Sequence, residues 1–301
     1  MQRGHESPRP DLYTRVTQSI VAELEAGVRP WTKPWSAEHL AGRISRPLRS
    51  TGEAYSGINI LLLWAEATAR GYTAPIWITF RQALALGGHV RKGEHGATVV
   101  YANRLTRTEQ DEGGEDIERQ IPFLKAYTVF NVEQVEDLPA QFYATAEPRL
   151  DAAQKIGQAE AFFAGLGSSV SHGGDRAYYA EGADRVQMPP FESFIDPESY
   201  YATLGHEHVH WTKHKSRLDR DFGRSRWGDE GYAREELVAE LGAAFLCADL
   251  GLELEPRRDH ADYIASWLKV LKDDRRFIFT AAAYAQKACQ FLQATTNPGG
   301  G

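Results

Sequence analysis

The sequence predicts an α+β protein in two domains, a small mixed one followed by a mainly helical one with a short sheet. Three observations carry that expectation. At 301 residues the chain exceeds the roughly 100–200 residues of a usual single domain. Its charge is split: residues 1–107 hold 14 Lys+Arg against 8 Asp+Glu, whereas the remainder is acidic enough to bring the total to −7. The apolar pattern also changes, from interleaved helix and strand signals before residue 140 to mostly helical ones after 152. The expected division is therefore a first domain over 1–140, a linker over 141–151 and a second domain over 152–301.

Composition narrows the function classes. With 42% hydrophobic and 25% charged residues, a wholly disordered or fibrous chain is excluded. No apolar run approaches the roughly 20 residues that cross a bilayer, so no membrane partner is expected. The opening MQRGHESPRPDLY lacks the apolar stretch of a secretory signal, and Cys247 and Cys289 cannot make a disulfide framework; a cytoplasmic location is expected.

Each element follows from local pattern. Asp11 to Gly27 carries Leu12, Val16, Ile20, Val21 and Leu24 at helical spacing, with Gly27 as the stop. Arg29 to Tyr55 mixes prolines, tryptophans and cations, a composition for irregular backbone. A second helix is expected over Gly57 to Gly71, then a turn at Pro75, a short helix from Phe80 to Leu86, a Gly-flanked turn from Gly87 to Gly93 and a strand at Ala97 to Ala102. The acidic stretch Thr106 to Gln120, with Gly113-Gly114, reads as a solvated hairpin loop before a strand at Phe123 to Asn131. Leu138 to Ala152 has two prolines and no strong periodicity, which suits a linker. Beyond it come a helix at Ala153 to Leu166 and short strands at Arg176 to Ala180 and Arg185 to Met188, joined by a turn at Glu181 to Asp184. Helices are then expected at Glu198 to His214 and Ala233 to Leu250, with a terminal pair from Ala261 to Gln293.

The strongest local signal is His206-Glu207-His208-Val209-His210, an HExxH inside a helical segment. Positions i and i+4 of a helix share a face, so His206 and His210 can offer imidazole nitrogens to one ion. Glu207 lies beside that ion, where its carboxylate can take a proton from an attacking water. His208 projects roughly 200° away at 100° per residue and is expected to be a non-ligating histidine. His214, one turn beyond His210, is expected to cap the helix end. A tetrahedral ion with an open position needs a third protein ligand. On the next helix Glu236 and Glu240 lie four apart beside the apolar side formed by Leu237, Leu241, Ala244 and Phe245. Glu236 is expected to bind the metal and Glu240 to hydrogen-bond a ligating histidine, with Glu235 pointing elsewhere. Zinc suits the set, and manganese or cobalt would also suit two histidines and a carboxylate.

The basic half points to a polyanion. Trp31, Lys33, Trp35, Arg43, Arg46, Arg49 and Tyr55 combine flat rings with cations on irregular backbone, the chemistry by which single-stranded DNA is held through stacking and phosphate contacts. Arg91 and Lys92, beside Gly93, could add a phosphate contact. Trp64 and Trp77 are expected in the core.

Strand, HExxH helix and ExxxE helix, in that order, resemble the gluzincin kind of zincin metallopeptidase. That resemblance implies Glu236 as third ligand, Glu240 as its acidic partner, and Arg185 to Met188 as the edge strand that pairs with extended substrate. More widely, YYATLGHEHVHWTKH, YAREELVAELGAAFL and YIASWLKVLKDDRRFIFTAAAYAQKA look like the metallopeptidase domain of ArdC-type antirestriction proteins. PWTKPW, GEAYSGINILLL, PIWITFRQALALGGHVRKGEHGATVVYA and FLKAYTVFNVEQVEDLP look like their N-terminal single-stranded-DNA-binding domain. The resemblance implies an accessory protein of conjugative plasmids that shields incoming DNA from host restriction; in the peptidase reading a host protein of the restriction system is the expected target. The competing reading is a protein that protects by occluding DNA, its metal site structural or silent. A nuclease or primase is disfavoured, because no carboxylate cluster for two magnesium ions and no Walker-type loop is present.

Overall fold

The computed structural model describes residues 11–31, 45–110, 116–143, 152–223, 228–252 and 260–296. The Asp11 carboxylate accepts from the Thr14 N–H at 3.0 Å and opens α1 (Leu12–Glu25). Gly71, at φ +70°, closes α2 (Ile58–Arg70) in the left-handed conformation that glycine adopts without strain. There follow β1 (Trp77–Thr79), α3 (Phe80–Ala85), β2 (His89–Val90), β3 (Ala97–Gln110), β4 (Asp116–Asn131) and β5 (Val135–Glu136). β1, β4 and β3 form an antiparallel sheet in that order, with Trp77 opposite Asn131 and Ala97 opposite Val129, and β2 pairs with β5. The free edge of β3 is covered at one point, where the Asn59 side chain of α2 bonds both the N–H and the C=O of Val100 at 2.7 and 2.8 Å.

Two expectations for this half are corrected. The segment Thr106 to Gln120 is not a loop: the ladder runs on to Gln110 opposite Asp116, and only 111–115 lies outside the described residues. Charge marked the stretch as solvated, but Thr106, Thr108, Ile117 and Ile121 are strand formers, and their propensity carries the ladder on. The expected linker begins too early. Leu138 and Phe142, around a 3-10 turn at Ala140–Phe142, are buried with Ile78, Ala83, Val132 and Val135. Residues 144–151 lie outside the described residues.

The second half comprises α4 (Ala152–Gly165), β6 (Ser169–His172), β7 (Tyr178–Ala180), β8 (Arg185–Met188), α5 (Pro197–Trp211), α6 (Glu230–Leu250), α7 (His260–Asp273) and α8 (Phe277–Thr296). β8 is the central strand of its sheet, parallel to β6 and antiparallel to β7, so Arg185 to Met188 is not the edge strand it was expected to be. β6 was missed because Ser169-Val170-Ser171-His172 has one apolar residue and no apolar run.

Asp196 caps α5 by accepting from the Ser199 N–H at 2.6 Å, and Asp229 caps α6 by accepting from the Tyr232 N–H at 2.7 Å. α6 is buried along almost its whole length, Glu235, Glu236 and Glu240 included. Gly242 sets its crossing with α5: a Cβ there would stand 2.7 Å from a Val209 methyl. Val209 lies between the second and third histidines of the motif, so this glycine brings the two site-bearing helices together.

One core joins the halves. Val16, Ile20, Leu24, Trp31, Ile58, Ile60, Leu61 and Trp64 belong to the same buried cluster as Leu237, Phe245, Trp267 and Ile278. α1 packs on α7, and Trp31 meets Trp267 edge to face with centroids 5.8 Å apart. Trp64 is buried as expected and meets Phe245 in the same way at 5.9 Å, while Trp77 is buried in a smaller cluster beside β1.

Candidate metal centre

On α5 the imidazoles of His206 and His210 share a face, ring centroids 4.8 Å apart and both buried. Glu236 of α6 stands across from them. Its Oε2 lies 3.4 Å from His206 Nε2 and its Oε1 3.4 Å from His210 Nε2. Donors about 2.0–2.1 Å from a tetrahedral ion lie about 3.4 Å from one another, and each imidazole Nε2 stands at that distance from one of the two Glu236 oxygens. One atom from each of the three residues lies within 4.8 Å of the other two, the sole such group among the described residues.

The Nδ1 sides of the rings differ. His210 Nδ1 lies 3.0 Å from Glu235 Oε1, and Glu235 is gripped by Arg220, whose Nε and Nη2 donate to its two oxygens at 2.8 Å each. Glu235 therefore does not point elsewhere, as the sequence suggested. The angle around α6 separated it from Glu236, but a helix buried on all sides has partners on every face. His206 Nδ1 lies 3.8 Å from Glu240 Oε2, while Glu240 Oε1 accepts from Arg29 Nη1 at 2.9 Å and Trp31 Nε1 at 3.4 Å.

The electrostatics favour a cation. Glu207, Glu235, Glu236 and Glu240 are all buried here, and the buried arginines set among them are Arg29 and Arg220. Neutral imidazoles leave a formal excess of negative charge that a divalent ion would offset. The titrations point the same way. Burial works against a charged His210, but Glu236 and Glu235 outweigh it and raise its pKa to about 9. Burial would likewise raise Glu236, yet His210 and His206 hold it well below its ordinary value. The donors thus match a divalent cation in spacing, type and charge.

Other residues frame the site. His208 is fully buried away from it, bonded to Leu204 O at 2.8 Å and Ser168 Oγ at 2.7 Å, and burial lowers its pKa to about 4. His214 lies past the helix in the following turn, its Nδ1 accepting from the Ser216 N–H. The Tyr232 hydroxyl lies 3.0 Å from that of Tyr263, and burial together with the nearby Glu236 carboxylate raises its pKa, so it remains a neutral donor. No sequence signal marked Tyr232, because its role depends on the facing helix α7.

The residues expected to face DNA divide three ways. Trp31, Arg46 and Tyr55 are buried: Trp31 on Trp267 and Glu240, Arg46 paired with Asp249 at 2.6 Å and lying over Phe245, and Tyr55 donating to Trp77 O. Composition misplaced them because rings and cations inside a tight core look the same in sequence as rings and cations on a nucleic-acid surface. Arg49, Arg91 and Lys92 are at the surface, Arg49 beside Glu53 and Arg91 paired with Glu94 at 2.7 Å. Lys33, Trp35 and Arg43 lie outside the described residues. A group the sequence did not single out is Tyr101 and Tyr127, 49% and 42% exposed, with centroids 6.4 Å apart and Lys125 5.1 Å from the Tyr127 ring. They sit on paired strands, Tyr101 opposite Lys125, and only that register brings them together.

The chain is similar to known proteins over most of its length. Residues 10–130 match the family described as the N-terminal domain of anti-restriction factor ArdC, and residues 157–284 match that described as zincin-like metallopeptidase. The metal-free crystal structure of the antirestriction ArdC protein from plasmid R388 is 46% identical, covers 96% of this chain and 99% of its own, and superposes with a TM-score of 0.80. Its Mn(II)-bound structure is 44% identical, covers 97% and 100%, and superposes at 0.77. The uncharacterized protein y4eC of Sinorhizobium fredii is 46% identical over 290 residues, covering 94% of this chain and 92% of that protein. DNA primase TraC of Escherichia coli is 36% identical over 299 residues, 94% of this chain but 27% of the primase. Matched almost end to end by a solved ArdC, and in its two halves by that protein's N-terminal domain and by a zincin-like domain, the chain belongs to the ArdC antirestriction family.

Proposed function

We propose that the chain is a two-part antirestriction factor acting in the cytoplasm. Residues 1–140 bind single-stranded DNA, and residues 152–301 form a metal-dependent peptidase whose target is a host protein of the restriction system. The observation that carries the enzymatic part is the convergence of His206, His210 and Glu236 beside a buried Glu207. These three residues would hold a divalent ion, zinc by the donor set, with manganese or cobalt also suited. A bound ion of this kind polarises a scissile carbonyl and lowers the pKa of water. Glu207 accepts the proton of the attacking water and returns it to the leaving nitrogen. Glu235 orients His210, Glu240 backs His206, and Tyr232 stands beside Glu236 as a neutral donor.

For the DNA part, support comes from the basic first third, the surface cations Arg49, Arg91 and Lys92, and the exposed pair Tyr101 and Tyr127 with Lys125. Exposed rings stack on bases whatever the sequence, and cations release counterions from phosphates, so binding weakens steeply as salt rises.

The test is Glu207→Gln, assayed for metal content, binding to an oligodeoxynucleotide and protection of incoming DNA from restriction. Metal and DNA binding are expected to persist while protection falls by two orders of magnitude or more. Full protection by the variant would overturn the peptidase reading and leave occlusion of DNA as the mechanism.

A further inference from the structure

Each of the two imidazoles that face Glu236 has a carboxylate on its Nδ1 side, 3.0 Å away behind His210 and 3.8 Å away behind His206, and the two carboxylates are held from different parts of the molecule. Behind His210 stands Glu235, held by Arg220, and all three belong to the C-terminal half. Behind His206 stands Glu240, held by Arg29, which is 211 positions away and belongs to the N-terminal half. Arg29 and Trp31 are both buried, and the residues around them are not those of a surface patch.

We propose that Arg29, together with Trp31, is a positioning residue of the metal centre. It holds Glu240 behind His206, so that the affinity of the site for a divalent ion is set partly by the N-terminal half. The inference rests on the reading of His206, His210 and Glu236 as metal ligands.

The geometry carries it in three steps. A histidine that ligates through Nε2 must carry its proton on Nδ1, and that N–H needs an acceptor to fix tautomer and ring angle. His206 Nδ1 is buried with no hydrogen-bond partner, and the nearest carboxylate oxygen is Glu240 Oε2, 3.8 Å away, a gap closed by a shift of less than about 1 Å. Glu240 keeps that oxygen turned toward His206 because its other oxygen accepts from both the Arg29 guanidinium and the Trp31 indole. Trp31 is itself fixed edge to face on Trp267 of α7, so the clamp is anchored in the shared core rather than on a free loop. Without Arg29, Glu240 would lose its charge partner in a buried place and turn away, and the His206 N–H would lose the nearest carboxylate able to accept from it.

Loss of an outer hydrogen-bond partner commonly weakens metal binding 10- to 100-fold, and that is the expected range here. The experiment measures dissociation constants of the full chain for Mn²⁺ and Zn²⁺ by chelator competition, and the visible spectrum of the Co²⁺ form. The proteins are the wild type, Arg29→Met, Glu240→Gln and the double variant, with melting of the metal-free proteins followed in parallel. Each single variant is expected to bind 10- to 100-fold more weakly with an altered Co²⁺ spectrum. The double variant should bind no more weakly than Glu240→Gln alone, since Arg29 acts only through Glu240. Arg29→Lys, which keeps the charge, should recover most of the affinity; should Arg29→Met fail to fold, Arg29→Gln, which removes the charge but keeps a polar side chain, takes its place with the same expected loss. Wild-type affinity and spectrum in Arg29→Met, or in Arg29→Gln where it stands in, or losses that add in full in the double variant, would overturn the positioning role while leaving the metal site intact. A wild type that binds neither ion would overturn the metal reading itself.

Discussion

Asp184 shows how a single side chain is fixed by its neighbours. It stands at φ +45° in the turn between β7 and β8, and its carboxylate accepts from the Arg217 guanidinium and from the Tyr179 hydroxyl. The hydrogen bond from Arg217 is the larger cause, and together they hold its pKa down to about 2. Arg217 also lies over the Trp211 ring at 4.0 Å and donates to the Trp211 carbonyl, so the contact ties the sheet to the end of the motif-bearing helix. A carboxylate whose pKa is lower folded than unfolded stabilises above its unfolded value, near 4, and that contribution is lost as pH falls through about 2. Asp184→Asn keeps a residue that tolerates positive φ and removes only the charge. It is expected to lower stability at pH 7 by less than about 1 kcal/mol, the pair being partly exposed, and the difference should vanish near pH 2. Denaturant melts of both proteins at the two pH values check this; a difference that is equal at both would refute the assignment.

At the scale of elements, what counts is how closely α5 and α6 approach. The ligand spacing of 3.4 Å between Glu236 and each imidazole depends on helices in contact, and Gly242 against Val209 is one place where they approach closely. A methyl at Gly242 would overlap a β-branched side chain that has little freedom to turn. Gly242→Ala is expected to cost about 1–3 kcal/mol of overpacking, offset by roughly 1 kcal/mol of helix propensity, and to weaken metal binding by moving α6 outward. Val209→Ala added to it should restore both quantities, as read by melting temperature and metal titration. A Gly242→Ala protein that binds metal as the wild type does would show that the spacing is not set at this crossing.

At the scale of the molecule, the boundary that composition suggests does not coincide with a gap in packing. α1 covers α7, Trp31 covers Trp267, and Arg46 reaches Asp249 at the end of α6. Residues 152–301 expressed alone would expose those apolar surfaces and leave Glu240 and Asp249 without their arginines. That fragment is expected to melt well below the full chain or to aggregate. A fragment with the full chain's melting temperature would show that the shared core contributes nothing to the stability of the second half.

What the sequence determined by itself was local. The HExxH and the alternation of helix, strand and turn depend on spacings of two to four residues, which the geometry of helix and strand converts directly into shared faces. Thus spacing alone places His206 and His210 side by side, His208 away from them, and Glu236 on the next helix. Tertiary structure decided the rest. Glu235 behind His210, Arg29 behind Glu240, β8 at the centre of its sheet, and the burial of Trp31, Arg46 and Tyr55 all depend on segments far apart in sequence. The physical reason is that a tryptophan or an arginine is amphipathic, able to stack on a base or to seal a core. Only the neighbours that folding brings to it decide which it does.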